Sequence, residues 1–272
     1  MTSQGRGVIQ RLLADRGLRP QKRFGQNFLA DPNLVDRIIR FAGVGADSKV
    51  IEVGAGTGAL TIGLAEAAET VVAYEIDLGL GPVLEETVGS LSNVDVRFAD
   101  VQRVDLNADL EGDDWTFVAN LPYNVGTPIL LDALRTVPKI VSFTVMVQRE
   151  VADRIVATPG SRVYGLPSVV AALWGDPVFG FEVPASVFVP APDVESAVVR
   201  VDRINASPFA HRASQLARSA FGQRRKMIRK SLGSAVADPD VLLDVAGIDG
   251  TRRAETLGAA EYLLLAEAEA SL

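Results

Sequence analysis

The chain contains no cysteine and only one histidine, His211, among its 272 residues. The absence of cysteine excludes disulfides, thiolate metal ligands and cysteine nucleophiles, and it is typical of proteins in the reducing cytosol. One histidine makes a histidine-based zinc site or a Ser-His-Asp triad hard to build. We therefore expect a protein without a metal centre.

Long hydrophobic runs are also missing. No apolar segment of the sequence approaches the roughly 20 residues that a membrane-spanning helix needs. The N-terminus carries a short, interrupted apolar patch, unlike the h-region of a signal peptide. Hydrophobic residues nevertheless make up 48% of the chain, enough for a proper core. We expect a folded, cytoplasmic protein without membrane contact.

Positive charge is scarce overall but concentrated locally. The net charge is −7 and the sequence pI is about 4.9, which alone argues against a nucleic-acid partner. From Arg212 to Lys230, however, every charged residue is basic, and among residues 6–23 every charged residue except Asp15 is basic. Such local patches can bind phosphates on an acidic protein. We expect the N-terminal arm (residues 6–23) to be disordered and to become ordered on a nucleic-acid partner.

Short apolar runs alternate with helix-length segments through most of the chain. The candidate strands are 49–53, 70–76, 94–99, 115–119, 140–147, 178–183 and 196–201. This alternation predicts an α/β fold with a doubly wound, mostly parallel seven-stranded sheet. A Pro-rich connection predicts that the last two strands form an antiparallel pair at the sheet edge. After residue 203 the sequence shows helical spacing and no convincing strand. It therefore predicts two domains, 1–203 and 204–272.

A glycine-rich turn follows the first candidate strand and precedes a helix. In "VIEVGAGTGAL" the glycines are Gly54, Gly56 and Gly58, which allow a sharp turn and close approach of a ligand. Glu75 ends the next strand, where ribose hydroxyls bind in nucleotide-binding folds, and Asp100 ends the third. These residues predict a nucleoside-containing cofactor, either a dinucleotide or S-adenosylmethionine.

The fourth strand ends in the turn "NLPY", whose residues suit chemistry on an adenine amine. That amine is a poor nucleophile because its lone pair is delocalised into the ring. The side-chain oxygen of Asn120 and the carbonyl of Leu121 can accept its hydrogen bonds and localise the lone pair. Pro122 stiffens the turn, and Tyr123 offers a face on which a flipped base can stack.

These motifs occur in an order and spacing that resemble the ribosomal RNA adenine dimethyltransferases, the family of the small-subunit enzymes and the Erm macrolide-resistance enzymes. The matching stretches are "KRFGQNFL" (22–29), "VIEVGAGTGALT" (50–61), "YEID" (74–77), "FADV" (98–101), "NLPYN" (120–124), "VQREVADRI" (147–155), "YGLPSV" (164–169), "VPASVFVPAPDVESAVV" (183–199) and "FGQRRKMIRKSLG" (221–233). The resemblance implies a Rossmann-like class I methyltransferase domain followed by a small helical domain that contacts RNA.

The resemblance also implies roles for individual residues. Asn27 and Leu29 would close over the methionine end of the cofactor, with Gln26 nearby. Further cofactor contacts are implied at Gly54, Gly56, Glu75, Ile76, Asp100, Val101 and Asn120. Phe188 is implied to be a second ring that stacks on the target adenine. RNA contacts are implied at Arg224, Arg225, Lys226, Arg229 and Lys230.

The implied function is S-adenosylmethionine-dependent dimethylation of the N6 amines of two adjacent adenosines near the 3′ end of 16S rRNA. The enzyme would act as a monomer on a pre-30S particle. Three alternatives stay open: an Erm-type enzyme acting on 23S rRNA, a non-catalytic small-subunit assembly factor, and an NAD-dependent oxidoreductase. "YEIDLGLGPVL" lacks the basic residue that often follows the acidic pair in this family.

Overall fold

A computed structural model describes residues 4–223 and 225–272 of the chain. The strands are β1 (Phe28–Leu29), β2 (Lys49–Val53), β3 (Thr70–Glu75), β4 (Val94–Phe98), β5 (Trp115–Asn120), β6 (Ile140–Gln148), β7 (Gly175–Val183), β8 (Phe188–Val189) and β9 (Ser196–Arg203). The helices are α1 (Arg6–Ala14), α2 (Pro32–Ala42), α3 (Ala59–Ala67), α4 (Gly81–Val88), α5 (Leu106–Asp109), α6 (Gly126–Thr136), α7 (Arg149–Ile155), α8 (Leu166–Trp174), α9 (Ala210–Gly222), α10 (Ile228–Ser231), α11 (Pro239–Val245) and α12 (Ala259–Ser271).

The main sheet has seven strands in the order β4-β3-β2-β5-β6-β9-β7. The pairs from β4 to β6 are parallel, and β9 runs antiparallel to β6. The chain order reverses between β2 and β5, so a crevice opens there beyond the carboxyl ends of the strands. The predicted doubly wound, mostly parallel sheet is confirmed.

Every predicted strand of the sheet is present, with ends shifted by a few residues. The last two strands are neighbours as predicted, but β9 lies inside the sheet between β6 and β7, and only β7 is at the edge. A second sheet, the antiparallel pair β1–β8, was not predicted. Each of its strands is two residues long, too short to show an alternating pattern.

Local sequence signals explain how α2 begins and ends. Asp31 precedes it, and its carboxylate accepts hydrogen bonds from the backbone amides of Asn33 at 2.9 Å and Leu34 at 3.3 Å. Pro32 occupies the first turn, and Gly43 ends the helix with a φ of 71°. The helix buries its apolar face in the core that lies beside the glycine-rich turn.

The N-terminal arm is helical rather than disordered. Residues Arg6–Ala14 form α1, and its apolar side chains Ile9, Leu12 and Leu13 are buried in the same core as Phe28. The basic charges of the arm predicted disorder, but its apolar residues repeat at helical spacing and form this buried face. Burial of these side chains offsets the entropy lost when the arm becomes ordered.

The chain divides into two compact units. The first contains residues 4–152 and 178–202, and the second contains residues 153–177 and 203–272. Residues 153–177, which the sequence places with the sheet, belong to this second unit. The domains 1–203 and 204–272 stay a prediction. Within the second unit, Arg212 forms a bidentate ion pair with Glu269, with both nitrogen–oxygen distances at 2.6 Å, and joins α9 to α12.

Candidate active site

A cavity lies at the carboxyl ends of β2, β3 and β5 in the first unit, at the switch point of the sheet. It collects the predicted cofactor residues and the residues of the NLPY turn. The predicted residues that line it are Gln26, Asn27, Leu29, Gly54, Gly56, Glu75, Ile76, Asp100, Val101, Asn120, Leu121, Pro122 and Tyr123. Residues from five separate motifs of the sequence thus meet in one place.

The glycine-rich turn has the geometry that only glycine adopts readily. The φ angles of Gly54, Gly56 and Gly58 are 85°, 59° and 84°, all in the left-handed region. A β-carbon at Gly56 would lie 3.1 Å from the ring of Phe28, so the turn is packed tightly against β1. The absence of side chains leaves the backbone of this turn open to a ligand in the cavity.

Glu75 fixes the turn from the end of the neighbouring strand. Its carboxylate accepts hydrogen bonds from the backbone amides of Gly56 at 2.8 Å and Asp77 at 2.9 Å. Burial raises the pKa of Glu75, and the hydrogen bonds from the Asp77, Gly56 and Ile76 backbone oppose that rise. The carboxylate is therefore held in one orientation before any ligand binds.

Glu52, which lies below the turn in β2, is a second buried acid in the cavity wall. Burial raises its pKa to about 8, against the opposing effect of the Thr61 hydroxyl and with a smaller contribution from the charge of Glu75. Glu52 therefore carries a proton at neutral pH in the folded protein.

The amide of Asn120 has a defined orientation. Its nitrogen donates to the backbone carbonyl of Asn27 at 3.1 Å. A carbonyl can only accept, so the end of the amide facing Asn27 must be the nitrogen. The side-chain oxygen of Asn120 is consequently the atom left to accept a hydrogen bond from another group. Asn27 holds its own position by donating to the carbonyl of Gly25 at 3.2 Å.

The rest of the NLPY turn is held by close packing. Leu121 is buried, and its amide donates to the carbonyl of Met146 at 3.1 Å. The carbonyl of Pro122 accepts from Gly126 at 2.7 Å, which joins the turn to the start of α6. A β-carbon at Gly25 would lie 3.3 Å from Pro122, so the loop before β1 covers the turn.

Tyr123 is anchored by a residue that sequence reasoning missed. Its hydroxyl lies 2.5 Å from the hydroxyl of Ser196, which is fully buried at the start of β9. Burial raises the pKa of the Tyr123 phenol, while the bond with Ser196 opposes the rise. The ring therefore stays neutral with its outer end fixed. Ser196 lies in the stretch 183–199 that resembles the family, but nothing in the sequence pairs it with Tyr123.

Gln26, which lines the cavity, is held by hydrogen bonds to Asp77 and Gln21. Its side-chain nitrogen donates to Asp77 at 2.8 Å, and its oxygen accepts from the Gln21 backbone at 2.7 Å. Gln21 also donates to Asp77, at 2.9 Å. This network ties the loop before β1 to the end of β3. Leu29 is buried in β1, where it pairs with Phe188.

Three further predicted residues, Ile76, Asp100 and Val101, line the cavity. Ile76 is 45% exposed and lines the cavity, so its side chain is free to pack against a flat ring. The Asp100 carboxylate accepts a hydrogen bond from the backbone amide of Gln102 at 3.1 Å, and it lies 3.4 Å from the guanidinium of Arg103. Val101 follows Asp100 in the same turn and lines the cavity.

Phe188, the predicted second stacking ring, lies elsewhere. It is fully buried in β8 and belongs to the hydrophobic core that also contains Phe28 and Val189. Base stacking by this ring requires it to leave the core. The structure brings Phe188 near Leu29 through the strand pair, but Tyr123 lines the cavity and Phe188 does not.

The predicted RNA-binding residues lie in the second unit. Arg225, Lys226 and Lys230 are exposed. Arg229 is only partly exposed, lies 3.6 Å from Asp240 and packs against Gly250, so part of its role is structural. Arg224 lies outside the described residues.

The charges of the cavity wall indicate which class of cofactor fits. Among the described residues, the ionisable side chains of the wall are the carboxyls of Glu52, Glu75 and Asp100, of which Glu52 is protonated, and the guanidinium of Arg23. A wall richer in carboxyls suits a cationic ligand with ribose hydroxyls better than the pyrophosphate of a dinucleotide. The carboxyls of the wall and the open glycine-rich turn therefore fit S-adenosylmethionine.

Two kinds of feature are absent from the part of the chain that the structure describes. No helix in 4–223 or 225–272 is both long and apolar enough to cross a membrane. In the same ranges, no three His, Asp or Glu side chains cluster in a way that could hold a metal ion.

Comparisons with known proteins agree with this geometry. The family model described as ribosomal RNA adenine dimethylase matches residues 17–270. The chain is 44% identical to ribosomal RNA small subunit methyltransferase A of Bifidobacterium longum (strain NCC 2705), over 97% of this chain and 92% of that protein. It is 40% identical to the protein of the same name from Magnetococcus marinus, over 96% of this chain and 95% of that protein.

Solved structures show the same fold. The crystal structure of a dimethyladenosine transferase from Plasmodium falciparum has a TM-score of 0.75 at 22% identity, covering 88% of this chain and 95% of that chain. The crystal structure of the 23S rRNA methyltransferase ErmE has a TM-score of 0.68 at 28% identity, covering 89% of this chain and 99% of that chain.

Proposed function

Because this chain belongs to the ribosomal RNA adenine dimethylase family, we propose that it dimethylates the N6 amines of two adjacent adenosines near the 3′ end of 16S rRNA. It acts in ribosome biogenesis, on the small subunit in a pre-30S particle in the cytoplasm, as a monomer. The relatives at 40–44% identity that are named small-subunit methyltransferases support this substrate. ErmE shares 28% of residues, so it supports the reaction class more than the substrate.

The observation that carries the chemistry is the orientation of Asn120. Because its nitrogen is committed to the Asn27 carbonyl, its oxygen accepts a hydrogen bond from the adenine amine. The Leu121 carbonyl accepts the second amine hydrogen. Together these acceptors pull the amine towards tetrahedral geometry and localise its lone pair. They are held in place before the substrate arrives, so little reorganisation is needed during the transfer.

S-adenosylmethionine, when bound in the cavity, supplies an electrophilic methyl group on a positively charged sulfur. Glu75 accepts hydrogen bonds from the ribose hydroxyls of the cofactor. The glycine-rich turn has room for the cofactor to approach its backbone. Asn27 and Leu29 cover its methionine end, with Gln26 holding the loop that carries them. Ile76, Asp100 and Val101 hold its adenine. The cationic amine product loses its proton to water, so no side chain needs to act as a strong base.

The target adenine stacks on Tyr123, whose ring is fixed by Ser196. Phe188 is the second stacking ring in this proposal and reaches the base when it leaves the core. The second unit contacts the RNA backbone through its exposed cations. These are Arg225, Lys226, Lys230 and the exposed part of Arg229. Arg224, which lies outside the described residues, is proposed as a further RNA contact from the sequence alone.

The test is methyl transfer from labelled S-adenosylmethionine to unmethylated small subunits and, in parallel, to large-subunit rRNA, followed by nucleoside analysis. We expect N6,N6-dimethyladenosine in the small-subunit RNA alone. Label in the large-subunit RNA would show that the protein acts on 23S rRNA, as an Erm-type enzyme does. Cofactor binding without label in either RNA would contradict the proposed catalysis and leave an assembly factor.

A further inference from the structure

The first described residue of the chain grips the glycine-rich turn. Gln4 is only 4% exposed, and its side-chain nitrogen donates to the carbonyl of Thr57 at 2.6 Å. Its side-chain oxygen accepts from the hydroxyl of Thr57 at 2.7 Å. Thr57 lies between Gly56 and Gly58, two residues whose backbones have little intrinsic rigidity. Both the nitrogen and the oxygen of the Gln4 side-chain amide therefore bind Thr57, the residue between these two glycines.

Two residues later, Arg6 grips a different segment of the same unit. Its guanidinium donates to the backbone carbonyls of Ser186 at 2.7 Å and Phe188 at 3.0 Å. Phe188 belongs to β8, which pairs with β1, the strand that leads out of the loop over the cavity. Arg6 thus fixes the backbone that carries the predicted stacking ring and borders the loop that carries Asn27.

Apolar packing docks α1 independently of these polar contacts. Ile9, Leu12 and Leu13 are buried in the core that contains Phe28 and Phe188. Since most of the stability of the docked helix comes from that apolar face, the side chains of Gln4 and Arg6 chiefly determine geometry. Their partners are two segments that a methyl transfer must align, the cofactor turn and the strand of the stacking ring.

We propose that Gln4 and Arg6 are positioning residues for methyl transfer: Gln4 sets the cofactor turn through Thr57, and Arg6 sets the β8 backbone at Phe188. The inference rests on the proposed function, because the two segments are given the roles assigned there. It predicts different kinetic effects for two residues that lie on one short segment. Removing the Gln4 hydrogen bonds weakens cofactor binding, whereas removing the Arg6 hydrogen bonds slows turnover.

The experiment compares Gln4→Met and Arg6→Met in the full-length protein. Methionine keeps much of the length of each side chain and removes its hydrogen bonds. We expect Gln4→Met to raise the Kd for S-adenosylmethionine about tenfold, the effect of removing two hydrogen bonds, with kcat at saturating cofactor within about twofold of wild type. We expect Arg6→Met to lower kcat about tenfold while the cofactor Kd stays within about twofold.

Matched controls are Gln10→Met and Arg11→Met, exposed residues of the same helix. Arg6→Lys, which keeps one donor, should restore part of the turnover, and a merely structural role would not give this rescue. Should Gln4→Met fail to fold, Gln4→Glu keeps the acceptor and loses the donor, and it should show the Kd effect alone.

The inference is overturned when both variants behave like their controls, or when Kd and kcat change together in proportion to a loss of thermal stability. Its failure is distinct from failure of the proposed function. Wild-type protein that methylates no rRNA overturns the function, and the cofactor Kd still tests Gln4 in that case. Active wild type with unaffected variants overturns the inference alone.

Discussion

At the scale of single residues, the site depends on polar groups whose orientation is fixed by a partner. Asn27 fixes the Asn120 amide, Ser196 fixes Tyr123, and two backbone amides fix Glu75. The sequence identified Asn120, Tyr123 and Glu75 from their types and positions. It could not identify Ser196, because this residue is far from Tyr123 along the chain and a lone serine in a strand carries no signal.

Asn120→Ala removes the side-chain acceptor and leaves the turn backbone in place. We expect kcat for methyl transfer to fall about a hundredfold or more, as for other preorganised hydrogen-bonding groups in active sites. Cofactor affinity should change far less, because the cavity retains Glu75, Asp100 and the glycine-rich turn. Calorimetry with S-adenosylmethionine and single-turnover methylation of small subunits measure the two quantities. The exposed Asn33→Ala is the control, and unchanged kcat in Asn120→Ala would remove the acceptor role.

Glu52 predicts a specific pH dependence of stability. Its pKa is about 8 in the folded protein against its usual 4.5, so the folded state binds its proton more tightly than the unfolded state. The contribution of this proton to the free energy of unfolding is present in full below pH 4.5 and is lost as pH rises towards 8. Glu52→Gln abolishes that loss.

We therefore expect Glu52→Gln to gain stability relative to wild type between pH 5 and 8, by about 1 kcal/mol for each pH unit. Urea unfolding at several pH values measures this difference. Glu66→Gln, an exposed change on α3, should follow wild type. Parallel curves for wild type and Glu52→Gln would show that Glu52 is ionised in the folded protein.

At the scale of elements, the short connections matter more for the site than the long strands. The strands supply a common edge, where Glu75 and Asn120 are the last residues of β3 and β5. The segments that follow the strands carry the glycine-rich turn, Asp100 and the rest of the NLPY turn. Hydrophobic periodicity predicts the strands well because each is several residues long. It could not predict β1 and β8, or the way in which the loop before β1 covers the NLPY turn, since these depend on contacts with segments far away in sequence.

Gly126→Ala tests how closely α6 supports the NLPY turn. A β-carbon at Gly126 would lie 2.8 Å from the β-carbon of Leu121, an atom that cannot rotate away. We expect the turn to shift, with kcat lower by about tenfold or more and a loss of stability of about 1–3 kcal/mol. Kinetics and thermal unfolding measure the two effects.

Gly7→Ala in α1 is the matched control, because a β-carbon there has no neighbour within 4 Å. Alanine also favours a helix over glycine, so Gly7→Ala should be neutral or slightly stabilising. Wild-type kinetics in Gly126→Ala would mean that the turn tolerates a shift, and preorganisation of the Leu121 carbonyl would then be unnecessary.

At the scale of the whole molecule, an acidic protein is expected to bind an anionic partner through local cations. The net charge is −7, while Arg225 and Lys226 lie exposed on the second unit. Phosphate binding releases counterions, so affinity should fall with salt in proportion to the number of phosphates that the protein neutralises. The predicted partner therefore depends on how charge is distributed rather than on its sum.

Neutralising Arg225 and Lys226 together to glutamine should weaken binding to small subunits and flatten its salt dependence. We expect the slope of log K against log salt to fall by about 0.7–0.9 for each phosphate that the variant no longer neutralises. Filter binding at several salt concentrations measures the slope. Arg40→Gln with Arg162→Gln makes the same change in net charge at other exposed positions and is the control. An unchanged slope would remove these two cations from the RNA surface.

The sequence by itself determined the sheet and the family, and all the catalytic and cofactor residues that it predicts, except Phe188, line the cavity. Strand periodicity and residues that close each strand are local properties, and parallel strands bring their carboxyl ends to one edge. Only the tertiary structure decided that α1 docks through an apolar face, that Phe188 lies in the core and that Ser196 holds Tyr123. The contacts of Phe188 and Ser196 arise from packing between segments far apart along the chain, for which a single sequence carries no local signal. The helical spacing of Ile9, Leu12 and Leu13 is visible in the sequence, but the surface on which α1 docks is not.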